Sequence, residues 1–361
     1  MNRRTFAIVT AVLTFTAGVA IARLSLPKLF NNPTIQPVVK SLPLSNYRLS
    51  GPYQFENLSI FLVHGPNEPN GRLYTPLQAA MERKLVVVHE TSNVNELAIE
   101  NVSATEDVFV QAGDIVKGGK QDRVLAVDLI LPPKSGQLPI SVFCVESARW
   151  TQRGDDQADH FTLTEMSAGF SLKRAIKDAA DQVSVWNEVE ASQAKLQRGA
   201  SEVAGVAADV RSSVSPTSLP LALESEAVQQ STTRYVDNLS SIVERSNDVL
   251  GFAFAVNNEL KGADVYSSNI MFKRLWPRLL KGAAVEALSE ASMKANAKDL
   301  PLETVGAFLT DSETGAEIVR EVTVRTHSAK RESEKGLFFE TRDMDHDAAW
   351  VHRSYLTKSP E

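Results

Sequence analysis

The order of hydrophobic patterns along the chain constrains the fold more than any other feature of the sequence. Short β-rich runs occupy the first part of the body and its last part, whereas apolar residues at helical spacing occupy the middle. Strands at both ends around a helical centre predict one α+β domain, with mostly antiparallel strands and an inserted helical layer. The early predicted strands are Glu56–His64, Leu85–His89, Glu96–Asn101, Val108–Gln111, Asp128–Pro132 and Ile140–Val145.

The middle of the body carries the helical spacing. Ser171–Val183, Ser184–Arg198 and Glu224–Leu250 each have apolar residues three, four or seven apart. Ser268–Met293 is predicted to be a helix interrupted at Pro277, because proline lacks the backbone N–H that a helix interior needs. Gly199–Pro220 is predicted to be a mobile or partly helical loop.

Strands interrupt and then follow this helical region. Gly251–Asn257 is predicted to be a strand, and the closing strands are Glu317–Arg325, Leu337–Thr341 and Trp350–Tyr355. The predicted domain therefore spans residues 53–355. It is strand-rich over 53–150, helix-rich over 171–294 and closed by strands over 317–355.

The first 22 residues have the pattern of an export signal. Arg3 and Arg4 precede Thr5–Ala22, which contains no charged residue and ends in a small-x-small sequence. The paired arginines also resemble a twin-arginine signal. We expect a cleaved signal peptide or, alternatively, a retained membrane anchor, because ~20 such residues can cross a bilayer as one helix. Residues 23–52 contain five prolines and are predicted to be a linker. The protein is therefore expected to be periplasmic or secreted, or anchored to the inner membrane through this segment alone.

Composition excludes several classes of protein. A net charge of −6 argues against nucleic-acid binding, which usually needs a basic surface. The single cysteine, Cys144, excludes an intramolecular disulfide and a Cys-rich zinc site. None of the six histidines has the HExxH or HxH spacing of metal ligands. No metal site is predicted, and the sequence does not indicate a cofactor.

The densest polar stretch is Gln111–Arg123. Gly118 and Gly119 permit a tight turn, and Lys117, Lys120 and Arg123 place cations beside its backbone amides. Such a turn can hold a carboxylate or phosphate, with Gln121 adding a directional amide. The alternative is a hairpin turn with solvated charges.

A second polar group follows the strand at Ile140–Val145. Glu146 and Arg149 are predicted to pair at the strand end, either as a site carboxylate with an anion-binding guanidinium or as a structural ion pair. Cys144 is either a thiol nucleophile or, as we prefer, a buried small residue, because no neighbouring histidine supplies a base.

Two other charged segments favour a structural interpretation. The acidic run Asp343–Asp347 can be a cation site but is better explained as a solvated loop. Phe272–Lys281 mixes bases with apolar residues and is predicted to be an amphipathic helix with a basic outer face.

The motif residues together resemble a known family. Gly-Gly-Lys-Gln-x-Arg at residues 118–123, then Cys-Val-Glu at 144–146 and Arg-Trp at 149–150, resemble the ARPP family. These are the domains associated with ADP-ribosylglycohydrolase and rhodanese-phosphatase proteins. Downstream segments at 185–190, 251–266 and 272–287 extend the likeness to about residues 53–355. The resemblance implies a fold and a cluster of motif residues, but no established reaction.

The leading functional hypothesis is the binding of a small anionic ligand by this cluster. The expected binding residues are Gly118, Gly119, Lys120, Gln121, Arg123, Arg149 and Trp150. An ADP-ribose-like or nucleotide-derived ligand is suggested only by the family association. One alternative is a hydrolase with Glu146 as general base, and another is a non-catalytic scaffold that uses the long helices. A low pKa of Glu146 paired with Arg149 would favour binding, and a raised pKa would favour acid–base chemistry.

Overall fold

The computed structural model describes residues 34–35, 47–67, 73–91, 93–147, 149–151, 153, 161–291 and 300–358. The predicted export signal at residues 1–22 lies outside these ranges. Among the described residues, no helix combines the length and the apolar character needed to span a membrane.

The described residues form eighteen strands and seven α-helices. The strands are β1 (Thr34–Ile35), β2 (Arg48–Phe55), β3 (Leu58–His64), β4 (Thr75–Pro76), β5 (Val86–Glu90), β6 (Glu96–Asn101), β7 (Val108–Val110), β8 (Ile115–Gly118), β9 (Arg123–Leu125), β10 (Leu129–Leu131), β11 (Gln137–Cys144), β12 (Phe161–Leu163), β13 (Val249–Val256), β14 (Glu259–Tyr266), β15 (Ile318–Glu321), β16 (Thr326–Glu332), β17 (Gly336–Asp343) and β18 (Ala349–Thr357). The helices are α1 (Leu77–Glu82), α2 (Phe170–Arg174), α3 (Gln182–Ala204), α4 (Leu219–Leu223), α5 (Glu226–Leu239), α6 (Asn269–Ser289) and α7 (Leu302–Ser312). Strands β1 and β2 begin within the predicted linker.

A nine-stranded antiparallel sheet is the largest element of the fold. Its strand order is β1-β15-β16-β17-β18-β14-β13-β3-β2, so strands from both ends of the sequence meet in one sheet. Every residue of β3 and of β13 is buried, because helices cover both faces of the sheet. Leu62 belongs to the apolar cluster that includes α6, whereas Val63 belongs to the cluster that includes α7. The predicted α+β class with antiparallel sheets is confirmed.

The remaining strands form two smaller sheets. Their orders are β12-β8-β9-β11-β6-β5 and β10-β7-β4, and the β4–β7 pair is parallel. In the six-stranded sheet, β9 is antiparallel to β11, with Arg123 opposite Cys144. This register brings the ends of the two sequence motifs together.

The helical region differs from the prediction in several boundaries. The predicted helix Glu224–Leu250 ends as an α-helix at Leu239, continues as a 3-10 helix over Ser240–Arg245, and gives way to β13 at Val249. Ile242 and Val243 of the 3-10 helix are buried, which is why the apolar spacing continued beyond the α-helix. The predicted helix Ser171–Val183 is instead α2 followed by a π-helix over Ala175–Ala179. Thr75–Pro76 forms a short strand before α1, and α7 was not predicted.

Glycine and proline were wrongly interpreted as helix breakers at two positions. Helix α3 continues through Gly199, where an added β-carbon would lie 1.8 Å from the carbonyl oxygen of Leu288 at the end of α6. Glycine therefore permits a close approach of the two helices. Helix α6 likewise continues through Pro277, because burial of Phe272, Trp276 and their neighbours offsets the roughly 3 kcal/mol that an interior proline costs.

Candidate functional site

The Gly-Gly motif forms the turn between β8 and β9. Gly118 and Gly119 have φ angles of 134° and 54°, which favour glycine. A β-carbon on Gly119 would lie 2.4 Å from both Glu90 Oε2 and Phe161 Cζ. The amides of the turn bind carboxylates of the chain itself. The Lys120 N–H donates to Glu90 Oε2 at 2.8 Å, and the Gly118 N–H donates to Asp122 Oδ1 at 3.1 Å.

The two predicted motif segments meet at this turn. Gln121 Nε2 donates to the carbonyl oxygen of Glu146 at 2.9 Å, and Arg149 Nη1 donates to that of Gly119 at 2.9 Å. Arg149 Nε lies 2.9 Å from both carboxylate oxygens of Glu146. The structure therefore brings Gly118, Gly119, Lys120, Gln121, Arg123, Glu146, Arg149 and Trp150 into one cluster.

Two fully buried carboxylates, Asp122 and Glu146, form the centre of this cluster. Arg153 Nη1 lies 2.9 Å from Asp122 Oδ2, and the hydroxyl of Ser218 donates to the same oxygen at 2.7 Å. Ser215 donates its hydroxyl to Glu146 Oε1. Asp122, Arg153, Ser215, Ser218 and Glu90 were missed by sequence reasoning. Asp122 adjoins the motif and could have been included, whereas the serines lie 69 and 96 residues from their partners without any spacing signal.

Glu146 is held as an anion. Burial raises the pKa of the Glu146 carboxyl, but the hydrogen bonds from Arg149 and Ser215 outweigh this effect, so the pKa lies below its ordinary value of 4.5. The backbone N–H of Asp122 also donates to Oε2, at 3.2 Å. Both carboxylate oxygens therefore accept hydrogen bonds from within the protein.

The guanidinium of Arg123 has fewer hydrogen-bond partners than the Glu146 carboxylate. Its side chain is fully buried, and Nη1 donates to Gln121 Oε1 at 3.3 Å, while Nη2 lies 3.7 Å from Glu90 Oε1. Its Nε and Nη2 atoms are buried with no hydrogen-bond partner among the residues that the structure describes. Trp150 is 47% exposed, and its ring centroid lies 5.7 Å from the guanidinium carbon of Arg123 and 5.8 Å from Lys120 Nζ. We call Lys120, Arg123 and Trp150 the cation–tryptophan group.

Cys144 lies beside the cluster but is built into the sheet. Its backbone N–H donates to Gln182 Oε1 at 2.8 Å, and its carbonyl accepts from Gln182 Nε2 at 2.9 Å. Burial raises the pKa of the thiol to about 11. A neutral, buried thiol is a poor nucleophile, which agrees with the preferred structural interpretation.

The other predicted charged segments are more buried than expected. Asp343 is not in a solvated loop: its side chain is fully buried and accepts from Arg325 and from the Tyr74 hydroxyl, at 2.8 Å from the latter. The basic face of α6 is not wholly exposed either, because Arg278 is buried and pairs with Asp114 at 2.9 Å. In the described part of the chain, no group of three or more His, Cys, Asp or Glu side chains is placed to hold a metal ion.

A second buried polar network, centred on His352, was also missed by sequence reasoning. The Nδ1 atom of His352 lies 2.7 Å from Asp128 Oδ2, and Nε2 lies 3.1 Å from Asp264 Oδ1. Lys173 Nζ lies 3.0 Å from the other oxygen of Asp264. The Tyr266 ring stacks on the imidazole with a centroid separation of 4.7 Å. This network joins strands β14 and β18 to the loop before β10.

Comparison with protein families confirms the resemblance seen in the motifs. The family model of the ARG and Rhodanese-Phosphatase-superfamily-associated Protein domain, ARPP-1, matches residues 46–356. No curated protein and no solved structure matches the chain significantly. The family match includes the whole cluster around the Gly-Gly turn and the His352 network. Because it covers most of the chain, this protein belongs to the ARPP-1 family.

Proposed function

We propose that this domain binds a small ligand through the cation–tryptophan group. The ligand would carry an anionic group for Arg123 and Lys120 and a planar group for the face of Trp150. A nucleotide or an ADP-ribose-like molecule has both features, and the family association suggests the same class. As the export pattern of residues 1–22 suggests, binding would take place outside the cytoplasm.

The observation that carries the proposal is the unsatisfied guanidinium of Arg123. Buried polar groups almost always have hydrogen-bond partners. Among the described residues, Nε and Nη2 of Arg123 have none, although Nη2 lies 3.7 Å from Glu90 Oε1 in an ion pair, so these two atoms need an explanation. A carboxylate or phosphate oxygen would supply the missing acceptor, and a planar guanidinium can bind such a group through two nitrogens. Movement of the half-exposed Trp150 ring would give a ligand access to these atoms.

Lys120 and Trp150 provide the outer part of the proposed site. Lys120 is exposed, and its backbone is fixed through Glu90, so its ammonium group can move while the turn stays in place. The Trp150 ring offers an aromatic face for stacking a nucleobase, an interaction worth about 1–3 kcal/mol per base in single-stranded nucleic-acid complexes. Because the turn amides already bind Glu90 and Asp122, ligand recognition would depend on these side chains.

In this proposal Glu146 positions Arg149 and lies on the buried side of the cluster. The hydrolase alternative requires an unoccupied Glu146 oxygen to accept a proton from water. Arg149, Ser215 and the Asp122 amide occupy those oxygens, and the lowered pKa makes the carboxylate a weaker base. The contacts therefore favour binding over hydrolysis at Glu146.

The test is a ligand screen with full-length protein and matched variants. Isothermal calorimetry with ADP-ribose, AMP, ribose 5-phosphate and inorganic phosphate would identify the ligand class. We expect Trp150→Ala and Arg123→Lys each to weaken binding about tenfold or more, equivalent to roughly 1.4 kcal/mol. Lysine keeps the charge at position 123 but loses the planar donor fork.

Arg211→Ala is the matched control, since it removes one exposed positive charge outside the cluster. Its affinity should equal that of the wild type. Equal affinity of Trp150→Ala, Arg123→Lys and wild type would place binding elsewhere. A wild-type protein that binds none of the four compounds at millimolar concentration would favour the scaffold alternative.

A further inference from the structure

A serine, a histidine and an aspartate form a hydrogen-bonded line at the edge of the nine-stranded sheet. Ser50 Oγ lies 2.7 Å from His64 Nε2, and His64 Nδ1 lies 2.8 Å from Asp248 Oδ1. These residues belong to neither the cation–tryptophan group nor the His352 network. The sequence gives no indication of the arrangement, because Ser50 and Asp248 lie 14 and 184 residues from His64.

The sheet register brings the three residues together. Strand β2 pairs with β3 so that Ser50 is opposite Leu62 and Arg48 is opposite His64. Asp248 immediately precedes β13, which pairs with β3 on its other side, with Val249 opposite His64. His64 is thus flanked by both neighbouring strands at the same end of the sheet.

A bulge in β2 adds a fourth side chain to this group. The register shifts between Ser50 and Tyr53, which are opposite Leu62 and Ile60. Leu62 and Ile60 are two residues apart and face the same way, so the extra residue in β2 places Ser50 and Tyr53 on one face. The Tyr53 hydroxyl lies 3.3 Å from Ser50 Oγ.

The contacts of Asp248 orient the imidazole of His64 towards Ser50. Hydrogen bonds from Ser246 and His64, together with the Arg48 guanidinium 2.9 Å away, hold the pKa of Asp248 well below its usual range. When Nδ1–H donates to this carboxylate, Nε2 is the unprotonated nitrogen of the neutral imidazole. That nitrogen faces the Ser50 hydroxyl and can accept its proton.

The hydrogen-bonded line is partly exposed. Strand β2 is the last strand of the sheet, and no strand among the described residues pairs with its outer edge. Ser50 and Tyr53 are half-buried, and the Asp248 side chain is 45% exposed, whereas the His64 side chain is only 6% exposed. The imidazole is therefore shielded, whereas Ser50 is partly exposed.

We propose that Ser50, His64 and Asp248 form a nucleophilic relay that transfers acyl groups from small ester substrates to water. Ser50 Oγ attacks the ester carbonyl carbon, and its proton passes to His64 Nε2. The Tyr53 hydroxyl is placed to donate to the oxyanion of the tetrahedral intermediate. Collapse of that intermediate breaks the bond to the alcohol, which leaves with the proton from His64, and Ser50 is left acylated.

Water completes the reaction. It attacks the Ser50 ester and gives one proton to His64 Nε2. The second intermediate then collapses, releasing the carboxylic acid and returning the His64 proton to Ser50 Oγ. Asp248 keeps the imidazole oriented and stabilises its charged form in both halves of the reaction.

The experiment is active-site labelling of the native full-length chain with a biotinylated fluorophosphonate. This reagent forms a covalent bond with activated serines, and peptide mass spectrometry locates the adduct. We expect labelling at Ser50, no label at that peptide in Ser50→Ala, and labelling on the order of 10²-fold slower or worse in Asp248→Asn and His64→Gln. Hydrolysis of p-nitrophenyl acetate should fall in parallel.

Two controls separate an activated serine from adventitious labelling. Ser328 is a half-buried serine on β16 of the same sheet. The Ser328→Ala variant should therefore be labelled at Ser50 at the wild-type rate. Urea-unfolded wild type should not be labelled at Ser50. Circular dichroism will verify that Ser50→Ala and Asp248→Asn are folded.

Native protein without an adduct at Ser50, or labelling unchanged by both Asp248→Asn and His64→Gln, would overturn the relay. Ligand binding at Arg123 is expected to be the same in Ser50→Ala, so the two proposals fail separately.

Discussion

Arg149 donates through Nε to both carboxylate oxygens of Glu146, at 2.9 Å each, although the two residues are only three positions apart. The pair is possible because Glu146 follows the end of β11 and the chain turns back towards the Gly-Gly turn, where Arg149 also donates to the Gly119 carbonyl. This ion pair is buried, with side-chain exposures of 9% for Arg149 and 0% for Glu146. It therefore joins the two sequence motifs from inside the protein.

Glu146→Gln should destabilise the fold. The substitution removes the negative charge from a buried pair and leaves Arg149 without its closest counter-ion, which typically costs about 3–5 kcal/mol. Urea unfolding monitored by circular dichroism measures the loss. The matched control is Glu224→Gln, because Glu224 forms a partly exposed pair with Lys117 at 2.7 Å and should cost ~1 kcal/mol or less. Equal stabilities for the two variants would show that the Glu146 pair contributes little.

Gly119→Ala should also be strongly destabilising. The φ angle of 54° is unfavourable for alanine, and the new methyl group would lie 2.4 Å from Glu90 Oε2 and Phe161 Cζ. We expect a loss of about 2–4 kcal/mol, from backbone strain and overpacking together. Gly136→Ala isolates the backbone contribution, since Gly136 has φ of 63° and no heavy atom within 4 Å of the added β-carbon. If the two variants lose equal stability, contacts with Glu90 and Phe161 do not explain why position 119 requires glycine.

His352 should make the stability of the protein depend on pH above neutrality. Burial lowers the pKa of His352, but Asp128 and Asp264 outweigh this effect, so its pKa lies above the ordinary value of 6.5. A raised folded-state pKa gives stability that is fully present below pH ~6.5 and is lost as the pH rises through the folded-state value. Each unit of elevation is worth about 1.4 kcal/mol. The free energy of unfolding should therefore fall between pH 6 and pH 9.

His352→Gln tests the origin of this pH dependence. The variant should be less stable than the wild type at pH 6, because Asp128 and Asp264 lose their buried cationic partner, and its stability should vary less from pH 6 to pH 9. The comparison requires urea unfolding of both proteins across this range. A wild-type curve that is flat, or a variant curve as steep as that of the wild type, would contradict the assignment to His352.

Cys144 should react slowly with thiol reagents in the native protein. Burial raises its pKa to about 11, so almost no thiolate is present at pH 8. Ellman's reagent should modify Cys144 rapidly only after urea is added. Cys144→Ser should cost about 1–3 kcal/mol, because it buries a hydroxyl, while ligand binding should be retained in the folded fraction. Fast modification without urea would indicate an accessible, activated thiol.

The export hypothesis rests on sequence and has its own test. Protein from fractionated cells should begin at Arg23 after cleavage, or remain membrane-bound with its N-terminus intact. If the twin-arginine route is used, Arg3-Arg4→Lys-Lys should block export, whereas a general secretory signal should tolerate the change. Soluble cytoplasmic protein that retains Met1 would exclude both forms of the hypothesis.

The sequence predicted elements whose signal is local. The apolar β-rich runs predicted strands that overlap β3 and β13, and helical spacing predicted α3 and α6, because each pattern repeats within a few residues. The predicted helix boundaries were wrong where tertiary contacts override a local sequence rule. Gly199 and Pro277 are breakers in isolation, yet close helix packing and burial keep both inside helices.

The sequence by itself determined the α+β class, the family and the motif residues of the Gly-Gly cluster, since these follow from short-range patterns and contiguous motifs. Only the tertiary structure decided how buried the charges are and which distant residues complete each group. His352 lies 224 residues from Asp128, and His64 lies 184 residues from Asp248. No spacing rule links residues so far apart, because strand order and register alone determine which of them become neighbours.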